Sequence, residues 1–190
     1  MTLAATPLGA VASDALDACA DCHGSVLTGD QATGAPNLTV LPSWYVERQL
    51  QNYQRGWRGE AAAAAAPDAH ALDGAGIAAA TALVASRPEH ASAPTLEGDA
   101  ERGGGLYRTC ATCHGELAQG NQALNAPPLA GQSDWYLVRQ IENYQTGSRG
   151  GAPGDIWGAQ MRASTGVLGD DAAVRDVVAY VSTLKTNATP

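Results

Sequence analysis

The sequence predicts an all-α protein built as two small helical domains in tandem, and three observations carry that expectation. A gapless internal repeat links the two halves: Cys19 and Cys110 stand 91 positions apart, and residues 19 to 59 agree with 110 to 150 at 21 of 41 positions, where chance gives roughly three. Apolar residues recur at helical spacing, and no alternating strand pattern competes with them. The length of 190 residues is room for two such units, each small enough to have a thin core.

Taken in order, the chain starts with Met1 to Ala12, which is apolar but has no basic n-region and so is not a complete secretory signal. The expectation is a trimmed start, in which Met1 stands where a native signal or membrane anchor was. The repeat then pairs Gly24 with Gly115, Pro36 with Pro127, Leu38 with Leu129, Trp44 with Trp135, Tyr45 with Tyr136 and Arg58 with Arg149. Arg48-Gln49 and Asn52-Tyr53-Gln54 recur as Arg139-Gln140 and Asn143-Tyr144-Gln145. A repeat of two is no solenoid. Ala61 to Ala66 keeps the register and reads as a plain surface segment. Beyond position 70 the first copy is about five residues shorter, with Leu72 matching Leu168. Arg87 to Gly98, with Pro88 and Pro94, reads as a linker. The boundary falls near Ala93, giving domains 1–93 and 94–190.

In the second copy, Asp99 to Cys110 predicts a helix in which Gly103 to Gly105 permit close approach and Tyr107 packs nearby. A middle helix runs from Trp135 to Tyr144, with Trp135, Val138, Ile141 and Tyr144 every third residue. Asp170 or Asp171 caps a last helix whose Val174, Val177, Val178, Val181 and Leu184 form one face.

Composition narrows the function. There is no Phe and only ten Trp plus Tyr, so something other than aromatic side chains fills the interior. The net charge is −8 and Lys185 is the only lysine, which argues against nucleic acid as a partner and for a basic or neutral docking surface. No apolar run is long enough to span a membrane.

All four cysteines occur as Cys19-Ala-Asp-Cys22-His23 and Cys110-Ala-Thr-Cys113-His114. That is the attachment signature of haem c, twice. Two thiols three residues apart reach both vinyl groups of one porphyrin, and the adjacent histidine falls on the iron axis, making His23 and His114 the proximal ligands. A zinc site would need four N or S ligands closing one tetrahedron, and a thioredoxin-like motif would need a strand and helix pattern that is absent.

The sixth ligand is where the copies differ. Met161 is the only methionine besides Met1, and its repeat-equivalent is His70. The expected ligand pairs are His23 with His70 and His114 with Met161; His90 in the linker, or an open iron, is the alternative at the first haem. Methionine favours reduced iron more than a second imidazole does, so electrons should run from the first domain to the second. Arg58 and Arg149 either neutralise haem propionates or are solvated surface arginines. Trp44 and Trp135 read as core packing rather than electron conduits.

On these residues the chain resembles the class I cytochromes c, in particular the di-haem cytochrome c4 type, over nearly all its length. The resemblance implies two tandem all-α class I cytochrome c domains related by duplication, each wrapped around a covalently bound haem. It gives Pro36 and Pro127, in Pro36-Asn37-Leu38 and Pro127-Pro128-Leu129, carbonyls that accept the proximal histidine's hydrogen bond. It makes Gly147 to Gly150 and Gly158-Ala159-Gln160-Met161 the approach to an axial methionine. His70 departs from the family, which usually has methionine at both irons.

The implied function is a periplasmic electron carrier, not an enzyme, linking a donor such as a quinol-oxidising complex to a terminal oxidase or reductase. Export follows because c-type maturation occurs outside the bacterial cytoplasm. The alternative is a haem-domain pair of a larger oxidoreductase or sensor with an open distal site. Thiosulfate-oxidising di-haem enzymes share the layout but use an extra cysteine ligand, and no fifth cysteine is present.

Overall fold

Three aspartates set helix starts in the second half by accepting a backbone N–H that no intrahelical carbonyl can satisfy. Asp99 accepts from Arg102 at 3.0 Å, Asp155 from Gly158 at 2.9 Å and Asp170 from Ala173 at 2.7 Å. The computed structural model describes residues 18–58 and 70–185; the readings for Met1 to Ala12 and Ala61 to Ala66 lie outside the described residues. Residues 18–23 are helical. They are followed by α1 (Ser43–Gln54), α2 (Gly74–Ala85), α3 (Ala100–His114), a 3-10 turn (Gln122–Leu124), α4 (Asp134–Thr146), α5 (Ile156–Thr165) and α6 (Asp171–Thr183). Among the described residues there is no strand, only the isolated bridges Asp30–Ala35 and Asn121–Ala126. No described helix is long and apolar enough to cross a membrane.

α3 crosses α6 at a point that only glycine allows. A β-carbon on Gly103 would stand 1.9 Å from the Asp176 carbonyl oxygen; one on Gly104 would meet the Tyr180 ring at 3.1 Å, and one on Gly105 would meet nothing. The close approach expected of the Gly103 to Gly105 run therefore rests on its first member. Tyr107, Leu137, Val174, Val177, Val178 and Val181 form the buried core around this crossing, with Leu184 packed against it. In the first half, α1 packs on α2 and the smaller buried set is Leu27, Val46 and Val84.

The repeat register is visible in hydrogen bonds. Gln54 Nε2 donates to the Leu72 carbonyl as Gln145 Nε2 donates to that of Leu168, at 2.9 Å in the second copy. Leu72 and Leu168 are thus equivalent, as the sequence suggested. The helix caps that follow, Asp73 and Asp170, lie one residue further out of step because Gly169 is extra. The first copy is five residues short up to Leu72, as the sequence suggested, and six short at the caps.

The linker is a strap tied to the second half. No helix interrupts residues 86–99. Ser92 N–H donates to the Gly131 carbonyl at 2.8 Å, and the Thr95 backbone and hydroxyl and the Leu96 N–H all donate to Asp134. Burial pushes the Asp134 carboxyl up, but those donors and the Trp135 N–H outweigh it and hold it below the usual range.

Candidate functional site

Each Cys-x-x-Cys-His motif ends a helical segment, after which the chain doubles back onto the histidine. Gly29 N–H donates to the His23 carbonyl at 2.9 Å and Gly120 N–H to that of His114 at 2.8 Å. At the pinch of each loop sits a fully buried non-glycine residue in the left-handed region, Leu27 (φ 63°) and Ala118 (φ 54°). Such backbone costs about 1–3 kcal/mol unless its surroundings hold it; here each carbonyl accepts from the chain ahead, Leu38 N–H and Leu129 N–H, at 2.9 and 2.8 Å. Sequence reasoning missed this pair, and only their shared repeat position could have hinted at it.

These loops bring His23 Nδ1 to 2.8 Å from the Pro36 carbonyl and His114 Nδ1 to 2.8 Å from that of Pro127. Nδ1–H donates, which fixes the tautomer and leaves Nε2 with its lone pair. Burial lowers both imidazole pKa values, against a smaller opposing effect of the carbonyl bond. Both rings are therefore neutral donors. Burial, reinforced by the neighbouring thiol, raises the Cys19 pKa, and burial also leads the rise at Cys110. No disulfide ties up any of the four cysteines, so both pairs are available for thioether links. Among the described residues no three His, Cys, Asp or Glu converge to hold a bare metal ion.

In the second half Cys110, Cys113, His114, Pro127, Arg149 and Met161 line one cavity, walled by Leu137, Val177 and Val181. Two thiols, an imidazole, a thioether and an apolar wall fit a haem c. The approach to Met161 is built on glycine: a β-carbon on Gly150 (φ 74°) would stand 2.3 Å from the Gly158 carbonyl oxygen, and Asp155 caps α5 just ahead.

In the first half the His70 ring stacks on Tyr53, with centroids 4.0 Å apart and planes 6° from parallel. Tyr144, the repeat-equivalent of Tyr53, lines the second cavity, so His70 sits against the tyrosine that matches. His90 is exposed. Its N–H donates to Thr39 Oγ1 at 3.1 Å and its carbonyl accepts from Asn37 Nδ2 at 2.7 Å, which pins its backbone beside the segment that follows Pro36.

The two loops face one interface. Arg58 and Arg149 are each only 6% exposed, which corrects the surface-arginine alternative. Arg58 donates to Gln49 Oε1 in its own half and to the Tyr136 hydroxyl across the interface, both at 3.0 Å. Arg149 mirrors this, donating to Gln140 Oε1 at 2.8 Å and across to the Tyr45 hydroxyl at 3.0 Å and Gln49 Oε1 at 2.9 Å. Gln49, Gln140, Tyr45 and Tyr136 were missed as site residues although all four recur in the repeat, because Gln and Tyr are ordinary helix-surface residues until a partner is seen. Burial would raise the Tyr136 pKa, but Arg58 and Arg149 outweigh it and the net shift is downward. A pseudo-two-fold therefore relates the halves.

Among the described residues no carboxylate answers either guanidinium, and none bonds to the buried Arg58 Nε. Two desolvated cations in neutral company are the surroundings that anions such as haem propionates would complete. The interface is extended by Asn37 and Gln132, which exchange hydrogen bonds at 3.0 and 2.8 Å, and by Arg139 donating to the Gly34 carbonyl. Trp44 and Trp135 are half-buried, edge-on to Tyr45 at 5.6 Å and Tyr136 at 5.9 Å. They stand outside both apolar cores, a correction to the core-packing expectation: each follows the start of an interface helix, so its ring borders the neighbouring tyrosine.

Comparison with known proteins agrees with this geometry. The Cytochrome c family model matches residues 100–185. The thiosulfate dehydrogenase electron acceptor of Stutzerimonas stutzeri is 32% identical over 163 residues, covering 80% of this chain and 74% of that protein. Cytochrome c4 of Acidithiobacillus ferrooxidans superposes with a TM-score of 0.73 at 27% identity, covering 88% of this chain and 99% of that one. Thiosulfate dehydrogenase of Marichromatium purpuratum superposes with a TM-score of 0.70 at 34% identity over 87% of this chain. The chain spans only 36% of that larger enzyme.

Proposed function

From the premise that the chain belongs to the di-haem class I cytochromes c of the cytochrome c4 type, and so carries two covalently attached haem c groups for electron transfer, we propose that it is a periplasmic carrier. It takes single electrons from a dehydrogenase and passes them toward a terminal oxidase or reductase. The observation that supports this most is the interface: each half offers the other a buried arginine, so the two haem-binding halves share one junction.

When bound, each haem supplies a one-electron ferric/ferrous couple. The residues of the chain attach and tune it. Cys19 and Cys22, and Cys110 and Cys113, would hold the two rings, and His23 and His114 would bind through Nε2, aimed by the carbonyls of Pro36 and Pro127. His70 and Met161 would supply the second protein ligand of each haem, and Arg58 and Arg149 would neutralise propionates at the junction. An imidazole at the first iron and a thioether at the second place the higher potential in the second half, giving a downhill direction. The domains divide near Ala93.

Likeness to an electron acceptor of thiosulfate dehydrogenase makes that class of enzyme the donor to test first. Oxidised holoprotein is mixed anaerobically with thiosulfate, with and without a thiosulfate dehydrogenase. Reduction by two electron equivalents only when the dehydrogenase is present is the expected result. Consumption of thiosulfate by the holoprotein alone would replace the carrier reading with an enzymatic one.

A further inference from the structure

The interface is symmetric at its arginines and tyrosines but not around Met161. Trp57, from the first half, lines the same cavity as His114 and Met161, together with Arg48. A β-carbon built on Gly154 would stand 3.4 Å from Trp57 Cζ2, so the indole lies against the loop that leads into α5. The Arg48 guanidinium stands 5.8 Å from the centroid of the Trp157 ring, a cation–π distance. Trp157 and Met161 are four residues apart on α5 and so share one face of that helix, one turn from each other.

We propose that Trp57 and Arg48 are positioning residues for the axial methionine of the second haem. They press the Gly154 loop and Trp157 from across the interface, so Met161 is presented only when the first domain is docked. This rests on the reading of Met161 as a ligand. The repeat shows that the device works one way: the counterpart of Trp57 is Ser148, that of Trp157 is Ala66, and that of Arg48 is Arg139, which is spent on the Gly34 carbonyl and on its own helix's Trp135 and Tyr136 rings. Coordination, and with it the potential, of the second haem is thus coupled to the domain junction.

The test uses the holoprotein, comparing wild type with Met161→Ala, Trp57→Ala, Arg48→Gln and Arg48→Lys. The readouts are the near-infrared charge-transfer band of methionine on ferric iron and a two-wave redox titration. Loss of the clamp should weaken methionine binding roughly tenfold in both oxidation states. Ferric iron holds a thioether less firmly than ferrous iron and gives it up first; once ferric iron has released it, the weakening falls on the ferrous state alone, so the band should fade and the upper wave should fall, by at most about 59 mV for a tenfold change in a one-electron couple. The lower wave should stay, and Arg48→Lys, which keeps a cation over the ring, should restore most of the loss. Arg48 is half-buried, so its variants read the clamp even where Trp57→Ala fails to fold. A wild-type band that vanishes in Met161→Ala but is untouched in Arg48→Gln, with both waves unmoved, overturns the clamp and leaves the ligand standing. A wild type whose spectrum and waves match those of Met161→Ala overturns the ligand and the clamp together.

Discussion

Asp134 is 2% exposed and is the anchor by which the linker holds to the second half, so replacing it by asparagine should loosen that strap measurably. One carboxylate oxygen accepts from the backbone N–H groups of Thr95 and Leu96, the latter at 2.7 Å; the other accepts from the Thr95 hydroxyl and the Trp135 N–H, each at 2.7 Å. Asparagine keeps an acceptor on one side only. Its amide group faces donors on the other, where the Thr95 hydroxyl can turn round but a backbone N–H cannot. One to two bonds to a charged acceptor are lost, at about 1.5–3 kcal/mol each, and water at the exposed linker recovers part, leaving about 2–4 kcal/mol. Urea unfolding of the holoprotein by circular dichroism should move its midpoint down by about 1–2 M, for a slope of about 2 kcal/mol/M. The pH dependence has a definite sign. A carboxyl held below its unfolded value of about 3.9 contributes fully above that pH and loses its contribution as pH falls through the lower folded value. The gap between wild type and Asp134→Asn should therefore be constant at neutral pH and close only below about pH 4. No midpoint shift at pH 7, or a gap that persists undiminished in strong acid, would refute the reasoning.

Gly103→Ala should destabilise the holoprotein by about 1–3 kcal/mol, because α3 and α6 must part to admit a β-carbon, whereas Gly105→Ala should stabilise it by up to about 1 kcal/mol; thermal unfolding of the pair reads both signs. His70→Met should raise the lower wave of an optical redox titration, and a lower wave that does not move would remove His70 as a ligand. Arg149→Met should lower the potential of the second haem, since a buried cation no longer opposes the extra positive charge of ferric iron; an unchanged or higher potential in that titration contradicts the propionate-side role of this arginine.

Local chemistry was legible in the sequence: the two attachment motifs, the substitution of His70 for Met161, the capping aspartates and the valine face of α6 are written in spacing and residue type. These follow from bonds and periodicities within a few residues of each other, so one chain suffices to read them. Arg58 and Arg149 stood out only as repeated positions, with nothing to say whether they faced solvent or an interface. The tertiary structure decided that, because burial of a guanidinium depends on Tyr45 and Tyr136 arriving from the opposite half. The same holds for Asp134, whose repeat-equivalent is Ser43, and for Gly103, whose use depends on where Asp176 crosses. What the sequence by itself determined is the cofactor chemistry and the duplicated helical fold; what only the tertiary structure decided is how the halves meet, since complementarity between surfaces far apart in sequence leaves no local pattern.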